Sequence, residues 1–325
     1  MTKLKRIVFN LFWVRMLIRK SRQIILPGFE GLPLYDVMVF FIRQVKKVGL
    51  SERASAIAFN FLMAIPAAVI FLCTLLPYMP VSKDITPQLL LLANDLIRDR
   101  TSFLAVEKFL NDFLNTPRSG LLSLGFFLAV LYSSNAMLGI MRTFNKSLFK
   151  SSKRNYFESR WMAIKLTTLV IVLIIVSLIL SIVQGEVFNR LLVWMNIHNP
   201  SVKSLIDSLR YLVIVALIYY AIAFIYKYAP AVKERWQLSS PGTILATFLT
   251  IVTTFLFSFW VNRFANYNKV YGSIGTILII MLLTYINALI LLIGFELNVS
   301  IHTIKLIAEE KQQKKNDKRF TKDHQ

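Results

Sequence analysis

The run VYGSIGTILIIMLLTYINALILLIGF, Val270 to Phe295, contains no Asp, Glu, Lys or Arg. A helix rises about 1.5 Å per residue and the hydrocarbon core of a bilayer is about 30 Å thick, so about 20 apolar residues suffice to cross it. This run exceeds that length and is apolar nearly all round, whereas a helix of a soluble bundle keeps one polar face. Five more uncharged runs precede it: Ala54 to Ser82, Ser119 to Met141, Leu166 to Gly185, Tyr211 to Tyr226 and Trp236 to Asn262. The fourth of the six is short only because Arg210 and Lys227 bound it, and such long side chains reach the headgroups from inside a span.

The whole chain agrees. Of its 325 residues 56% are hydrophobic and 17% charged, against about 25% charged in a soluble domain. Its net charge of +21 would suggest nucleic acid in a soluble protein. Here the basic residues follow the spans. Taken by alternate segments, 27 Lys and Arg fall on the side of both termini and nine on the other. By the positive-inside rule the rich side is cytoplasmic. The charge therefore reads as topology and attraction to anionic lipid, with no nucleic-acid partner.

The expected architecture is all-α: a polytopic membrane protein of six transmembrane helices, N-in and C-in. Residues 1–53 form cytoplasmic basic interfacial helices. The segment 4–26 interleaves Lys5, Arg6, Arg15, Arg19 and Arg22 with apolar residues, and Tyr35 to Gly49 follows a Pro/Gly break at 27–33. Residues 54–304 hold the spans, at about 57–78, 120–143, 162–184, 207–228, 241–261 and 273–300. The external loop 79–119 offers two helices, Pro87 to Arg98 and Phe103 to Leu114, and 305–325 is a cytoplasmic Lys-rich tail without fixed structure. Basic residues interrupt the first 26 positions, so the first span is expected to direct insertion. Cys73 is the only cysteine, which removes intrachain disulfides and cysteine metal sites. The sequence leaves the oligomeric state open.

Polar side chains inside spans mark either helix packing or function. Glu296 is the acidic residue the sixth span carries, near its cytoplasmic end. Arg53 and Arg142, at the same side by topology, are its candidate partners. The pairing is either structural or part of a substrate or proton site. Asn135, Gly139, Arg142 and Lys146 share one face of span two, which reads as a cation line for anionic headgroups or as ordinary inside anchors. On span six Asn287, Gly294 and Asn298 share a face, with Tyr285, Leu289, Glu296 and Ser300 opposite.

Ser239, Ser240 and Pro241 read as a cap and first turn of span five. Thr243, Thr247, Thr250 and Thr254 then form a stripe that suits close packing or lines a passage. Span one carries Asn60 and a kink at Pro66. Gly139, Gly272, Gly275 and Gly294 join these threonines, Pro66 and Asn287 as packing or hinge positions.

No GxxxxGK[ST] loop is present, so the chain has no ATP motor of its own. His198, His302 and His324 are scattered, and neither a metal-ligand spacing nor a cofactor motif occurs. Serine has no histidine partner in any span.

Three segments resemble the YihY/BrkB family of bacterial inner-membrane proteins: RASAIAFNFLMAIP from Arg53 to Pro66; Tyr226 to Gly242 with Pro230, Trp236, Pro241 and Gly242; and Tyr271 to Gly275 running to Gly294-Phe-Glu-Leu-Asn298. The resemblance covers about Val37 to Ser300. Members have carried labels from virulence and serum resistance to tRNA-processing ribonuclease, and no agreed activity comes with the family. The chain's lack of metal-ligand clusters and of a soluble catalytic domain speaks against the nuclease label. The leading expectation is envelope transport or lipid handling, the substrate an anionic amphiphile and the partners anionic membrane lipids, centred on Glu296, Arg142, Arg53, Asn135, Asn298 and Asn60. A scaffold that organises partners, without transport, is the alternative and needs no internal cavity. A lipid-modifying membrane enzyme is third.

Overall fold

The computed structural model describes residues 16, 19–75, 100–115, 119–148, 152, 154–182, 200–232, 236–263 and 273–322. All regular structure among them is helical: α1 (Leu34–Val48), α2 (Leu50–Leu75), α3 (Arg100–Asn115), α4 (Ser119–Ser147), α5 (Tyr156–Ile182), α6 (Pro200–Tyr228), α7 (Pro241–Arg263) and α8 (Ser273–Lys322). Six of them, α2 and α4 through α8, are long and apolar enough to cross a membrane. They carry the six uncharged runs.

The six helices close a ring. Each packs on the next in the order α2, α4, α5, α6, α7, α8, and α8 returns to α2, the α2–α4 seam being the most extensive. Arg53 at the start of α2, the end of α4, the end of α6, the start of α7 and Glu296 of α8 meet at one end, called here the α1 end. Large apolar side chains on the outer faces, such as Phe248, Phe255 and Leu256 of α7, are exposed, as a lipid-facing surface requires.

Helix α1 packs on the C-terminal half of α8. Val37 is fully buried there with Phe29, Leu297 and Ile301. Gly49 follows α1 with φ 65°, a left-handed cap that turns the chain straight into α2, and only glycine takes that conformation without steric strain. Of the basic segment 4–26, residues 16 and 19–26 are described, with helix ending at Ser21, and the loop helix expected at Pro87 to Arg98 lies outside the described residues. The second loop helix is α3, which touches α2.

Several bounds differ from expectation, with α2 beginning at Leu50 rather than 57 and α6 at Pro200 rather than 207. Helix α5 begins at Tyr156, six residues before the span at 162, because Asn155 and Glu158 close a cap there, the Asn155 N–H donating to Glu158 Oε2 at 3.3 Å. Helix α8 continues through the expected tail to Lys322, 50 residues or about 75 Å in all. Its last part is rich in Lys, Glu and Gln, all strong helix formers. The exposed pair Lys305 Nζ to Glu30 Oε2, at 2.9 Å, ties it to the segment before α1.

Candidate functional site

Glu296 is buried at the α1 end, facing α4 and α2 rather than lipid. Ser147, the last residue of α4, donates its hydroxyl to Glu296 Oε1. Arg53 Nη1 donates to Ser147 Oγ at 2.7 Å and to the Thr143 carbonyl at 3.4 Å, and lies 4.0 Å from Glu296 Oε1. The chain of contacts is thus guanidinium to hydroxyl to carboxylate. Gln44 of α1 approaches the same carboxylate. The second oxygen, Oε2, has no partner among the described residues. Arg53, Ser147 and Gln44 surround this carboxylate, so it couples α1, α2, α4 and α8.

Beside it lies an aromatic floor. Phe144 and Phe295 stack with ring centroids 3.6 Å apart, Tyr226 meets both rings at 5.9 Å, and Trp236 lies 5.2 Å from Phe295. Tyr226 Oη donates to the Leu291 carbonyl at 2.7 Å. The helices approach closely because Gly242 of α7 faces Gly294 of α8. A Cβ on Gly294 would lie 2.6 Å from the Gly242 carbonyl oxygen and 2.5 Å from Tyr226 Oη. Small residues allow such backbone contact between membrane helices. Asn298 locks the crossing: its Oδ1 accepts the Gly242 N–H at 2.8 Å and its Nδ2 donates to Ser240 Oγ at 2.8 Å. Ser240 in turn accepts the Thr243 N–H at 3.3 Å, capping α7 with Pro241 in its first turn.

Beyond this floor a partly open cavity of about 480 Å³ lies between α2, α5, α6, α7 and α8. Its wall is mainly apolar, with Ile57, Leu217 and Ala221 among the lining residues. Four polar side chains interrupt it: Ser177, Thr250, Thr284 and Asn287. Asn287 and Thr284 donate to the carbonyls of Leu283 and Ile280 one turn back, which leaves the Asn287 amide oxygen and the Thr284 lone pairs available.

The structure joins Arg53 to Glu296, and Asn298 to the neighbouring crossing. Arg142 does not join them: it is exposed on the outer face of α4 together with Lys146. The buried face of α4 is built instead from Ser134, Ala136, Met137, Thr143, Phe144 and Ser147. Arg142 and Lys146 thus share an exposed face away from the Glu296 cluster. Asn135 accepts a hydrogen bond from Arg160 Nη1, whose Nη2 donates to the Leu131 carbonyl at 3.3 Å. Asn60 donates to the Ala56 carbonyl at 2.8 Å and packs on Gly139, where an added Cβ would meet its Nδ2 at 3.1 Å.

Pro66 sits on an exposed face of an unbroken α2. Gly275 is buried, and Gly272 lies outside the described residues. The threonine stripe divides: Thr243 and Thr247 are buried in packing, Thr250 lines the cavity, and Thr254 is exposed with its hydroxyl on the Thr250 carbonyl.

Four contributors escaped the sequence reading. Ser147 is a lone serine at a helix end. Arg160 was counted only as a topology signal, although it stands one turn into α5, where a partner on α4 could have been sought. Arg154 donates to the carbonyls of Tyr228 (3.3 Å), Ala229 (3.2 Å) and Pro230 (3.0 Å), capping the C-terminus of α6. Asn145 holds the same turn by accepting the Ala231 N–H at 2.8 Å. Among the described residues no group of three or more His, Cys, Asp or Glu gathers as a metal site.

Comparison with known proteins gives a consistent setting. Residues 41–320 match the family described as Virulence factor BrkB. The chain is 29% identical over 270 residues to YfkH of Bacillus subtilis (strain 168), a protein described as ribonuclease-like, covering 83% of this chain and 96% of that one. It is 30% identical over 131 residues to a UPF0761 membrane protein of Tolumonas auensis (38% of this chain, 43% of the other), and 23% identical over 269 residues to one of Psychromonas ingrahamii (82% and 88%). No solved structure matches.

Proposed function

The chain belongs to the virulence factor BrkB family and is a multi-pass membrane protein, and from that premise we propose that it handles an anionic amphiphile, moving or presenting it within the bacterial envelope without an ATPase of its own. The observation that carries this reading is the cavity of about 480 Å³ where α2, α5, α6, α7 and α8 meet. Its size falls in the range of small-molecule sites, about 300–1,000 Å³, and its wall combines apolar surface with a few polar groups, as ligand sites do. A scaffold would need no such space. The wall suits the apolar part of an amphiphile, and Asn287, Thr284 and Thr250 offer hydrogen bonds to its polar part.

Tyr226 and Phe295 lie one helical turn beyond the lining residues Ile222 and Leu291, so the aromatic floor adjoins the cavity on that side. Glu296 and Arg53 lie beside that floor, where a change in their pairing would bear on the four helices they join. The excess of basic residues on the side of the termini, 27 against nine, supports an inner-membrane setting with both termini cytoplasmic and anionic lipids as neighbours.

Movement of a fluorescent phosphatidylglycerol across proteoliposomes tests the reading. Wild-type protein is expected to accelerate it, and Ala221→Trp, which fills the cavity from α6, to abolish the acceleration. Equal movement with both proteins would remove the cavity from the account.

A further inference from the structure

A second recess lies on the outside of the ring, between α5 and α6. It measures about 530 Å³ and is lined by Trp161, Lys165, Leu169, Val172 and Leu173 of α5 and by Phe224 of α6, with Ile164 and Thr168 alongside. The α5 positions recur at helical spacing, so they form one continuous stripe about 18 Å long. Leu173 belongs to both this groove and the central cavity. Leu173 therefore places the lipid-facing groove next to the space between the helices.

Charge decides what the groove suits. Exposed Tyr156, Phe157 and Trp161 mark the start of α5 as the membrane interface, where such aromatic residues collect. Lys165 lies nine residues beyond Tyr156, about 13 Å along the helix, exposed and with its ammonium 5.4 Å from the Trp161 ring centroid. From there its ammonium reaches back along Trp161 to the headgroup level, where an anionic group is a favourable partner. The one acidic residue of α5, Glu158, is engaged in the helix cap, and α6 from Tyr211 to Tyr228 carries none. Below Lys165 the stripe is apolar apart from Thr168. A phosphate at Lys165 with an acyl chain running over Leu169 and Val172 fits this order of groups.

We propose that an anionic glycerophospholipid of the bilayer docks in the α5–α6 groove, its phosphate on Lys165, and that its acyl chain passes Leu173 into the central cavity. The groove is then a lateral entrance. The passage into the cavity rests on the function proposed above, whereas the headgroup site does not.

The test uses full-length protein in phosphatidylcholine nanodiscs doped with phosphatidylglycerol or phosphatidylcholine probes bearing a photoreactive group at the acyl terminus, with crosslinks mapped by mass spectrometry. The phosphatidylglycerol probe is expected to label both the groove, at Val172 or Phe224, and the cavity, at Leu217 or Ala221. Lys165→Gln should lower both labels about fivefold, the effect of one basic side chain at an anionic surface. Lys165→Arg should preserve them, and the phosphatidylcholine probe should not respond to either change.

Groove labelling that ignores Lys165→Gln overturns the site and leaves annular lipid only. Cavity labelling that survives Lys165→Gln while groove labelling falls overturns the entrance but leaves the cavity function standing. Lys165-dependent groove labelling with an unlabelled cavity overturns the passage and the proposed function together.

Discussion

Replacing Gly294 by alanine probes the contact that brings α6, α7 and α8 together. The added methyl would lie 2.5 Å from Tyr226 Oη, 2.6 Å from the Gly242 carbonyl oxygen and 2.8 Å from Ala246 Cβ. Tyr226 can retreat only by giving up its hydrogen bond to the Leu291 carbonyl, which is worth about 1 kcal/mol. The Gly242 oxygen is backbone, so α7 must move as a body, and forced packing of this kind costs about 1–3 kcal/mol. Alanine returns about 1 kcal/mol through its better helix propensity. The net expectation is a loss of about 1–3 kcal/mol. Gly120, near the start of α4, has nothing within 4 Å of the same methyl, so Gly120→Ala should be neutral or slightly stabilising. Unfolding of both variants in one detergent, followed by tryptophan fluorescence during titration with a denaturing detergent, measures the difference. If Gly294→Ala unfolds with the wild type, the close crossing of α7 and α8 is wrong.

Other perturbations reach the polar cluster and the topology. Glu296→Ala leaves the partly buried Arg53 without its carboxylate and should lower stability by about 3 kcal/mol, with Arg53→Met added on top restoring part of the loss. Additive losses in that double-mutant cycle would mean the two do not interact. Arg154→Ala removes a charged donor from three carbonyls at the end of α6 and should cost about 2 kcal/mol in the same unfolding assay, with Arg154→Lys recovering only part because it lacks the planar fork. A reporter enzyme active only outside the cytoplasm, fused after Gln325, should be inactive, and activity there would reverse the orientation drawn from the basic residues.

The six spans were legible because uncharged runs of about 20 residues are rare for any other reason. Ser240 with Pro241 was legible for an equally local cause, since a cap and its first turn are written in adjacent residues. Arg142 shows where such reading fails. A helical wheel groups it with Asn135 by polarity, but between membrane helices small size and backbone contact decide which face is buried, and α4 turns Ser134, Thr143 and Ser147 inward while its cations point out. Ser147 was invisible because its importance comes from Glu296, which is 149 residues away. The length of α8 was missed because a polar, charged tail reads as unstructured unless the helix propensity of its Glu, Gln and Lys residues is weighed as a continuation of the span before it. The cavity had no signature of its own. It arises where five helices meet, and only Asn287 and Thr250 among its polar groups stood out beforehand.

Native mass spectrometry of the purified protein after stringent delipidation tests most directly whether the ring holds an amphiphile. The account predicts that the wild type retains one tightly bound lipid and that Ala221→Trp, with its cavity filled, retains none. A wild type stripped of all lipid, or a variant that keeps the same lipid, would contradict it.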